Sequence, residues 1–324
     1  KKAPLYKTLV EDKKLTDATD VFQYNSEIAG QYMLSVTAFE KTNLNDVMNG
    51  VNEAFKNFES EGISQSDLNR IKAGQETAFY TNLSSVLGKG FQLAQYEIFA
   101  GTPDYINQDV KNILAVTTED VIRVYQKYIK GKHFVATSFV PKGEANLILN
   151  GSTLAAVVEE KIIEGKEDAF DASIVATYDK TPSKFDRSVE PAYGESPDVK
   201  LPTVWKSKLS SGLNALGIEN HEVPLVQFQL QIKGGMLLEE ANKIGVSNML
   251  AELMTKGTKN KTPEQLENAI ESLGATIRAY ASDESIFISG NTLAKNYAAT
   301  MALVQEIILQ PRWDNTEFDL IKQS

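Results

Sequence analysis

Cysteine is absent from this chain of 324 residues, and histidine occurs only twice, at His133 and His221. The absence of cysteine excludes thiol catalysis, cysteine–zinc sites and disulfide bonds. A mechanism that needs three histidines is excluded as well, and one that needs two requires His133 and His221 to meet in the folded protein. Each histidine lies in or beside a predicted strand without a second imidazole at ligand spacing, so we interpret both as surface or edge residues.

A surplus of positive charge is also missing, because 33 Lys and Arg face 43 Asp and Glu, for a formal net charge of −10. Without a basic stripe to neutralise a phosphate backbone, we expect no nucleic-acid partner. No apolar run approaches the ~18 residues that a bilayer-spanning helix needs, so the sequence predicts no membrane span. The absence of cysteine is compatible with a periplasmic or otherwise extracytoplasmic location, which is our expectation.

Neither an initiator Met nor a signal peptide is present, and a helical pattern runs to Ser324. We therefore expect both ends to be internal to a longer polypeptide. The composition is that of a folded protein, with 42% hydrophobic and 23% charged residues. Residues 159–202 differ, since they hold four of the ten prolines and eleven acidic residues against six basic ones. Because such a stretch buries little apolar surface, we predict a folded part at 1–150, a linker at 151–202 and a second folded part at 203–324.

Helical and strand patterns alternate in both folded parts, which predicts the α+β class with antiparallel sheets layered against helices. Apolar alternation over 21–39 predicts strand, turn and strand, and spacing of three and four residues over 44–58 predicts a helix. The N-caps predicted for other helices are Ser64, Thr117 and Thr262. Further predictions are helices at 83–100, 104–114, 243–256, 296–309 and from 315, strands at 133–140, 275–281 and 284–290, and a hairpin of strands at 213–216 and 225–232.

Two stretches, 31–72 and 286–322, share the order strand, lysine-containing turn, helix, short loop and helix. Their helices also match by residue type at several positions. The matched residues are Asn43, Met48, Val51 and Glu53 in the first stretch and Asn296, Met301, Val304 and Glu306 in the second. These matches predict a repeated supersecondary unit within a duplicated α+β architecture.

The most specific pattern consists of a double glycine at 234–235, at the end of a predicted strand, followed by a helix and its closing turn at 245–258. It resembles the active-site helix of the insulinase/pitrilysin family of inverted zincins, in which H-x-x-E-H supplies two zinc-binding histidines and a general-base glutamate. Here Asn248 stands at the first His position, Ala251 at the Glu position and Glu252 at the second His position.

These three departures all affect the chemistry of the motif. Ala251 offers no base, and Asn248 with Glu252 cannot reproduce a bis-imidazole site. The resemblance therefore implies that this helix is catalytically silent and that this chain has no catalytic, cofactor-binding or metal-binding residues. We interpret Asn248 and Glu252 as part of a polar helix face, with weak binding of an oxygen-preferring cation as the alternative.

Other stretches resemble the same family in the order that its members show. The resembling stretches are 4–11, 61–72 and 115–121, which are similar to the back half of a peptidase unit, and 213–235, which is similar to the front of the next. In long members of the family, two units in one chain close around an unfolded peptide, and only the first unit holds zinc. The resemblance thus implies the back half of the first unit at 1–150, the front half of a degenerate second unit at 203–324, and a zinc helix upstream of Lys1.

The function implied is that of a segment of a zinc-dependent endopeptidase acting on peptides or small unfolded proteins. The segment itself would be a non-catalytic chamber wall that contacts substrate. Its partners would be peptide substrates and either the remainder of the polypeptide or a zinc-bearing homologous subunit. A non-catalytic partner subunit and a purely structural descendant of the family are the alternatives.

Overall fold

The structure is a computed structural model that describes residues 3–26, 28–156, 186, 188–190, 192–196, 198 and 200–323. The chain forms two compact units, one comprising Lys1–Asn150 with Asn220–Ser324 and the other comprising Gly151–Glu219. Most of the acidic stretch that was predicted to be a linker, from 157 to 185, lies outside the described residues.

The N-terminal part of the first unit contains one antiparallel strand pair and a series of helices. Strand β1 (Asp20–Asn25) pairs with β2 (Gly30–Ser35), which confirms the predicted strand, turn and strand. The helices are α1 (Pro4–Tyr6), continued by a π-helical turn (Lys7–Asp12), α2 (Leu44–Glu61), α3 (Gln65–Leu83), α4 (Val86–Ala100), α5 (Ile106–Ala115) and α6 (Thr118–Tyr128). A small apolar core joins the π-helical turn to α2 through Leu9, Val47 and Val51.

The second unit contains a hairpin of β3 (Val204–Lys208) and β4 (Asn214–Ile218). The chain reverses at Gly212, whose φ of 87° favours glycine. The indole of Trp205 lies over Gly217 on the facing strand, which leaves no space for a Cβ there and fixes the register. The predicted hairpin between 213–216 and 225–232 is therefore wrong, because the tight turn at Gly212 pairs β4 with the strand that precedes it.

The C-terminal part of the first unit contains a three-stranded antiparallel sheet in the order β5-β7-β6. Its strands are β5 (Leu225–Lys233), β6 (Thr276–Ala281) and β7 (Ser285–Leu293), and its helices are α7 (Val246–Met254), α8 (Pro263–Ser272), α9 (Tyr297–Leu309) and α10 (Asn315–Gln323). A buried core joins α7, α8, β7 and α9; its members are Met254, Leu266, Ile288, Leu303, Val304 and Ile307. The α+β class and the elements predicted for this part are confirmed.

The three predicted N-caps are confirmed as well. The Ser64 hydroxyl accepts a hydrogen bond from the N–H of Asp67, and Thr117 and Thr262 each form a reciprocal capping box with the residue three positions later. The described part of the chain contains no helix with the length and hydropathy that a bilayer crossing demands.

The strand predicted at 133–140 is wrong, because the structure has irregular backbone there. Phe134, Val135 and Phe139 are 74%, 92% and 90% exposed. Apolar alternation alone does not make a strand, since a strand needs a neighbour to satisfy its backbone hydrogen bonds. Among the residues that the structure describes, no strand pairs with this segment.

Helix α3 connects the N-terminal and C-terminal parts of the first unit. Arg70 forms an ion pair with Glu271 at 2.7 Å, and Glu76 forms one with Lys295 at 2.7 Å. Between them, the buried hydroxyl of Thr77 donates to the Gly274 carbonyl at 2.7 Å. These contacts place polar groups of α3 against the last turn of α8, the loop that follows it and the turn that precedes α9.

The predicted order of the two similar stretches is confirmed, with β2, α2 and α3 in the first and β7, α9 and α10 in the second. Val51 and Val304, which the comparison matched, are both buried. The strands of the two stretches differ in burial, because β7 lies between β5 and β6 whereas β2 pairs with β1 alone within the described chain.

Candidate functional site

The approach to α7 depends on the double glycine at the end of β5. Gly234 adopts a φ of 117°, and a Cβ on Gly235 would lie 2.2 Å from the Ser282 carbonyl oxygen. Only glycine permits this close approach to the β6–β7 turn. The chain then forms a 3₁₀ turn at Met236–Leu238 that leads toward α7.

The N-terminus of α7 is held by the carboxylate of Glu239. Its Oε2 accepts a hydrogen bond from the N–H of Gly245 at 2.7 Å, and its Oε1 accepts one from the N–H of Ser247 at 2.6 Å. The hydrogen bond from the Ser247 N–H, followed by that from the Gly245 N–H, lowers the pKa of the Glu239 carboxyl. A carboxylate at the positive end of the helix dipole therefore fixes where α7 begins.

The three motif positions lie on α7 in two different environments. Asn248 and Glu252 are one helical turn apart and exposed, whereas Ala251 is 1% exposed and packs inward. The Asn248 amide lies 3.5 Å from the sulfur of Met236, and Glu252 forms an ion pair with Lys256 at 3.4 Å. An amide, a methyl group and a paired carboxylate do not fit the zinc of an H-x-x-E-H helix, so no catalytic step is assigned to them.

The turn after α7 is tied to α9 by buried polar contacts. The Thr258 hydroxyl, which is fully buried, donates to Glu306 Oε1 at 2.6 Å, and Lys261 Nζ donates to Oε2 of the same carboxylate at 2.6 Å. The hydrogen bond from Lys261, followed by that from Thr258, lowers the pKa of the Glu306 carboxyl. These contacts hold the turn against α9.

The two histidines are both exposed, His133 in the irregular segment after α6 and His221 just before β5. Within the residues that the structure describes, no group of three or more His, Cys, Asp or Glu side chains is placed to hold a metal ion.

A large apolar groove of about 720 Å³ lies in the N-terminal part of the first unit, away from α7. Its floor is the face of the β1–β2 pair that carries Val21 and Tyr32, and its walls are α2 and α6. The side chains that line it are mostly apolar and include Phe55, Phe58 and Val124.

Two hydrogen bonds to the Glu59 carboxylate lie beside this groove. The Tyr125 hydroxyl donates to Glu59 Oε1 at 2.8 Å, and Lys130 Nζ donates to Glu59 Oε2 at 2.9 Å. Burial, and then the bond to Glu59, raises the pKa of Tyr125 to about 12. The hydroxyl therefore stays protonated at neutral pH and holds α6 against α2.

Comparison with known proteins agrees with the motif on α7. A family model described as Insulinase (Peptidase family M16) matches residues 215–323. An uncharacterized zinc protease of Rickettsia bellii is 28% identical over 102 residues, which cover 32% of this chain and 25% of that protein. The mitochondrial-processing peptidase subunit beta of Dictyostelium discoideum is 24% identical over 152 residues, which cover 45% of this chain and 31% of that protein.

Two solved structures also align with part of the chain. The peptidase M16 inactive domain from Pseudomonas fluorescens aligns at 20% identity with a TM-score of 0.35 and covers 37% of this chain and 29% of that one. A protease from Helicobacter pylori aligns at 22% identity with a TM-score of 0.35 and covers 38% and 30%, respectively.

The fold is thus of the α+β class, and the part of the chain that contains α7 is similar to zinc proteases. The part of the chain that the insulinase family model matches, residues 215–323, is insulinase-like. The part of the chain that matches the two Rickettsia relatives spans 25% of their length.

The sequence analysis missed the two carboxylates that position the ends of α7. Glu239 binds the N-terminus of the helix, and Glu306 binds Thr258 in the turn that follows it. Glu239 lies six residues before Gly245, outside the spacing of a capping box, so no local pattern indicates its role. Glu306 was noticed only as a match to Glu53, which forms an ion pair with Lys13 at 2.8 Å.

Proposed function

We propose that this chain is a segment of a zinc-dependent endopeptidase that acts on peptides or small unfolded proteins, and that the segment is a non-catalytic chamber wall in contact with substrate. The observation that carries the proposal is α7, which follows a double-glycine strand end but has Asn248, Ala251 and Glu252 at the positions of the zinc chemistry. The buried methyl group of Ala251 supports a role for this helix in packing rather than in hydrolysis.

Within this proposal, residues 1–150 form the back half of a first peptidase unit, 151–202 a linker and 203–324 the front half of an inactive second unit. Zinc belongs to the full-length parent, in a helix upstream of Lys1. The partners are peptide substrates and the remainder of the polypeptide, and the location is periplasmic or otherwise extracytoplasmic.

The test is to measure the zinc content of the purified chain together with its cleavage of a quenched fluorescent peptide. We expect less than stoichiometric zinc and no chelator-sensitive cleavage from the chain alone. The full-length parent should hold stoichiometric zinc and show chelator-sensitive cleavage. Stoichiometric zinc with chelator-sensitive cleavage in the chain alone would overturn the proposal. Separate His133→Ala, His221→Ala and Glu252→Gln variants would then identify the ligands.

A second candidate is a partner subunit that encloses substrate for a separate zinc-bearing chain. It is favoured by the names of two relatives, the mitochondrial-processing peptidase subunit beta and the cytochrome b-c1 complex subunit 1 of Bos taurus, which is 28% identical over 108 residues. An H-x-x-E-H sequence upstream of Lys1 in the gene would exclude this candidate. Stoichiometric co-purification with a zinc-bearing homologue would support it over a purely structural role.

A further inference from the structure

The sequence contains two Asn-Gly pairs, Asn49–Gly50 and Asn150–Gly151. An asparagine followed by glycine loses its side-chain amide readily, because glycine has no Cβ to hinder the attack of its own nitrogen on the neighbouring carboxamide. Both asparagines are exposed, so contact with water does not distinguish them. Their backbones do, since the first pair lies in a helix and the second in a turn.

The pair Asn49–Gly50 is protected by helix α2. It lies inside Leu44–Glu61, where the N–H of Gly50 donates to the carbonyl of the residue four positions earlier. Gly50 is also buried, and a Cβ there would lie 2.5 Å from Leu9 Cδ2. To attack the Asn49 carboxamide, the Gly50 nitrogen would have to leave its hydrogen bond while the backbone rotated inside a packed helix.

The pair Asn150–Gly151 has neither form of protection. It forms a turn in which Gly151 adopts a φ of 80°, and no atom lies within 4 Å of the position that a Cβ of Gly151 would occupy. Within the part of the chain that the structure describes, the Gly151 N–H donates no backbone hydrogen bond. The Gly151 nitrogen is therefore free to approach the side chain that precedes it.

The Asn150 side chain is held less firmly than its main chain. The Asn150 N–H donates to Asn45 Oδ1 at 2.9 Å, which fixes the backbone before the turn. The Asn150 Oδ1 accepts from Asn45 Nδ2 at 3.4 Å, at the long end of the hydrogen-bond range. This contact leaves the carboxamide free to rotate, and a donor on its oxygen polarises Cγ toward attack.

We propose that Asn150 is a site of self-modification, which converts to aspartate and isoaspartate in the folded protein while Asn49 is preserved. The Gly151 nitrogen gives its proton to solvent base and bonds to Asn150 Cγ, which closes a succinimide ring. The bond from Cγ to Nδ2 breaks, and Nδ2 takes a proton from water and leaves as ammonia. Water then opens the ring at either carbonyl. The inference is independent of zinc and of peptide cleavage.

Both products place a negative charge beside Asn45, in the first turn of α2. A carboxylate is favourable near the positive end of a helix dipole, so the modified chain should keep its fold. In isoaspartate the main chain also passes through the former side-chain carbons, which lengthens the path from Asn150 to Gly151. The chain therefore acquires a charge and a change of backbone at this turn as it ages.

The test is to incubate the folded chain at mildly alkaline pH, digest it, and locate the products by mass spectrometry. Electron-transfer fragmentation separates isoaspartate from aspartate and assigns each product to its residue. We expect Asn150 to be modified at least about tenfold faster than Asn49, because α2 must open before Asn49 can react. In concentrated urea, which unfolds α2, the two rates should agree within about threefold. Equal rates in the folded chain, or an undiminished difference in urea, would overturn the inference.

A variant tests the attacking nitrogen. Gly151→Ala adds a methyl group beside that nitrogen, and the open space around Gly151 accommodates it. We expect the modification of Asn150 to slow by about tenfold, while that of Asn49 is unchanged. A Gly151→Ala chain that is modified at Asn150 as fast as the parent would show that another group attacks, and would overturn the inference.

Discussion

Ala251 lies on the inner side of α7, between the solvent-facing side chains of Asn248 and Glu252. The space that a general base would need at this position is occupied by packing against the core. At this position the helix therefore lacks both the glutamate of the motif and the space that a glutamate side chain would need.

We expect Ala251→Glu to destabilise the first unit by about 2–4 kcal/mol, because it buries a carboxyl group without a partner. Urea denaturation followed by circular dichroism measures this. The matched control is Glu252→Gln, which removes only an exposed ion pair and should change stability by less than about 0.5 kcal/mol. An Ala251→Glu variant as stable as the parent would show that α7 can accommodate the catalytic side chain.

Glu239 provides a prediction about pH. Because its pKa is lowered in the folded state, the stability that it contributes is present above its unfolded pKa and is lost as pH falls through the folded value. Glu239→Gln should therefore lower the Tm by a few degrees at pH 7, and the difference from the parent should vanish in acid. Thermal melts from pH 7 to pH 2 measure it, with Glu240→Gln as control. A pH-independent difference would mean that the charge of Glu239 plays no part.

At the scale of elements, the turn between α7 and α8 depends on one buried hydroxyl. Thr258 donates to Glu306 and accepts from the N–H groups of Asn260 and Lys261. Thr258→Val removes all three of these hydrogen bonds, and we expect a loss of about 1–3 kcal/mol in the free energy of unfolding. Thr255→Val removes only a bond to a carbonyl of its own helix and should cost less than about 1 kcal/mol. Similar losses for both variants would argue against this anchor.

Elements whose signal is local were predicted well from the sequence. The caps at Ser64, Thr117 and Thr262 follow from residues three positions apart, and the helix at 44–58 follows from its own apolar spacing. Pairing of strands is not local, so the sequence predicted the wrong partner for β4 and a strand at 133–140 that the structure lacks.

The same distinction applies to the candidate site. The motif positions on α7 could be identified from the resemblance of this stretch to an H-x-x-E-H helix, since all three lie close together on one short helix. The anchors of that helix could not, because Thr258 and Glu306 are 48 residues apart and meet only through the fold.

At the scale of the whole molecule, the two compact units each contain one of the two tryptophans, Trp313 in the first and Trp205 in the second. Trp313→Phe leaves Trp205 as the reporter for the second unit, and Trp205→Phe leaves Trp313 for the first. We expect Trp205 fluorescence to change at a lower urea concentration, because an isolated two-stranded hairpin is marginally stable. Coincident transitions for the two variants would show that the units unfold together.

The contacts of α3 also have a consequence for synthesis. Arg70 and Glu271 are 201 residues apart, so at about 5–20 residues per second a ribosome completes the partner roughly 10–40 s after α3 emerges. During that interval the side of α3 that will meet α8 is exposed to the cell. Because Arg70 and Glu76 are charged, this side of α3 stays hydrated until its partners are made. It therefore presents few apolar groups to chaperones or to neighbouring nascent chains, and we expect a low risk of aggregation during this interval.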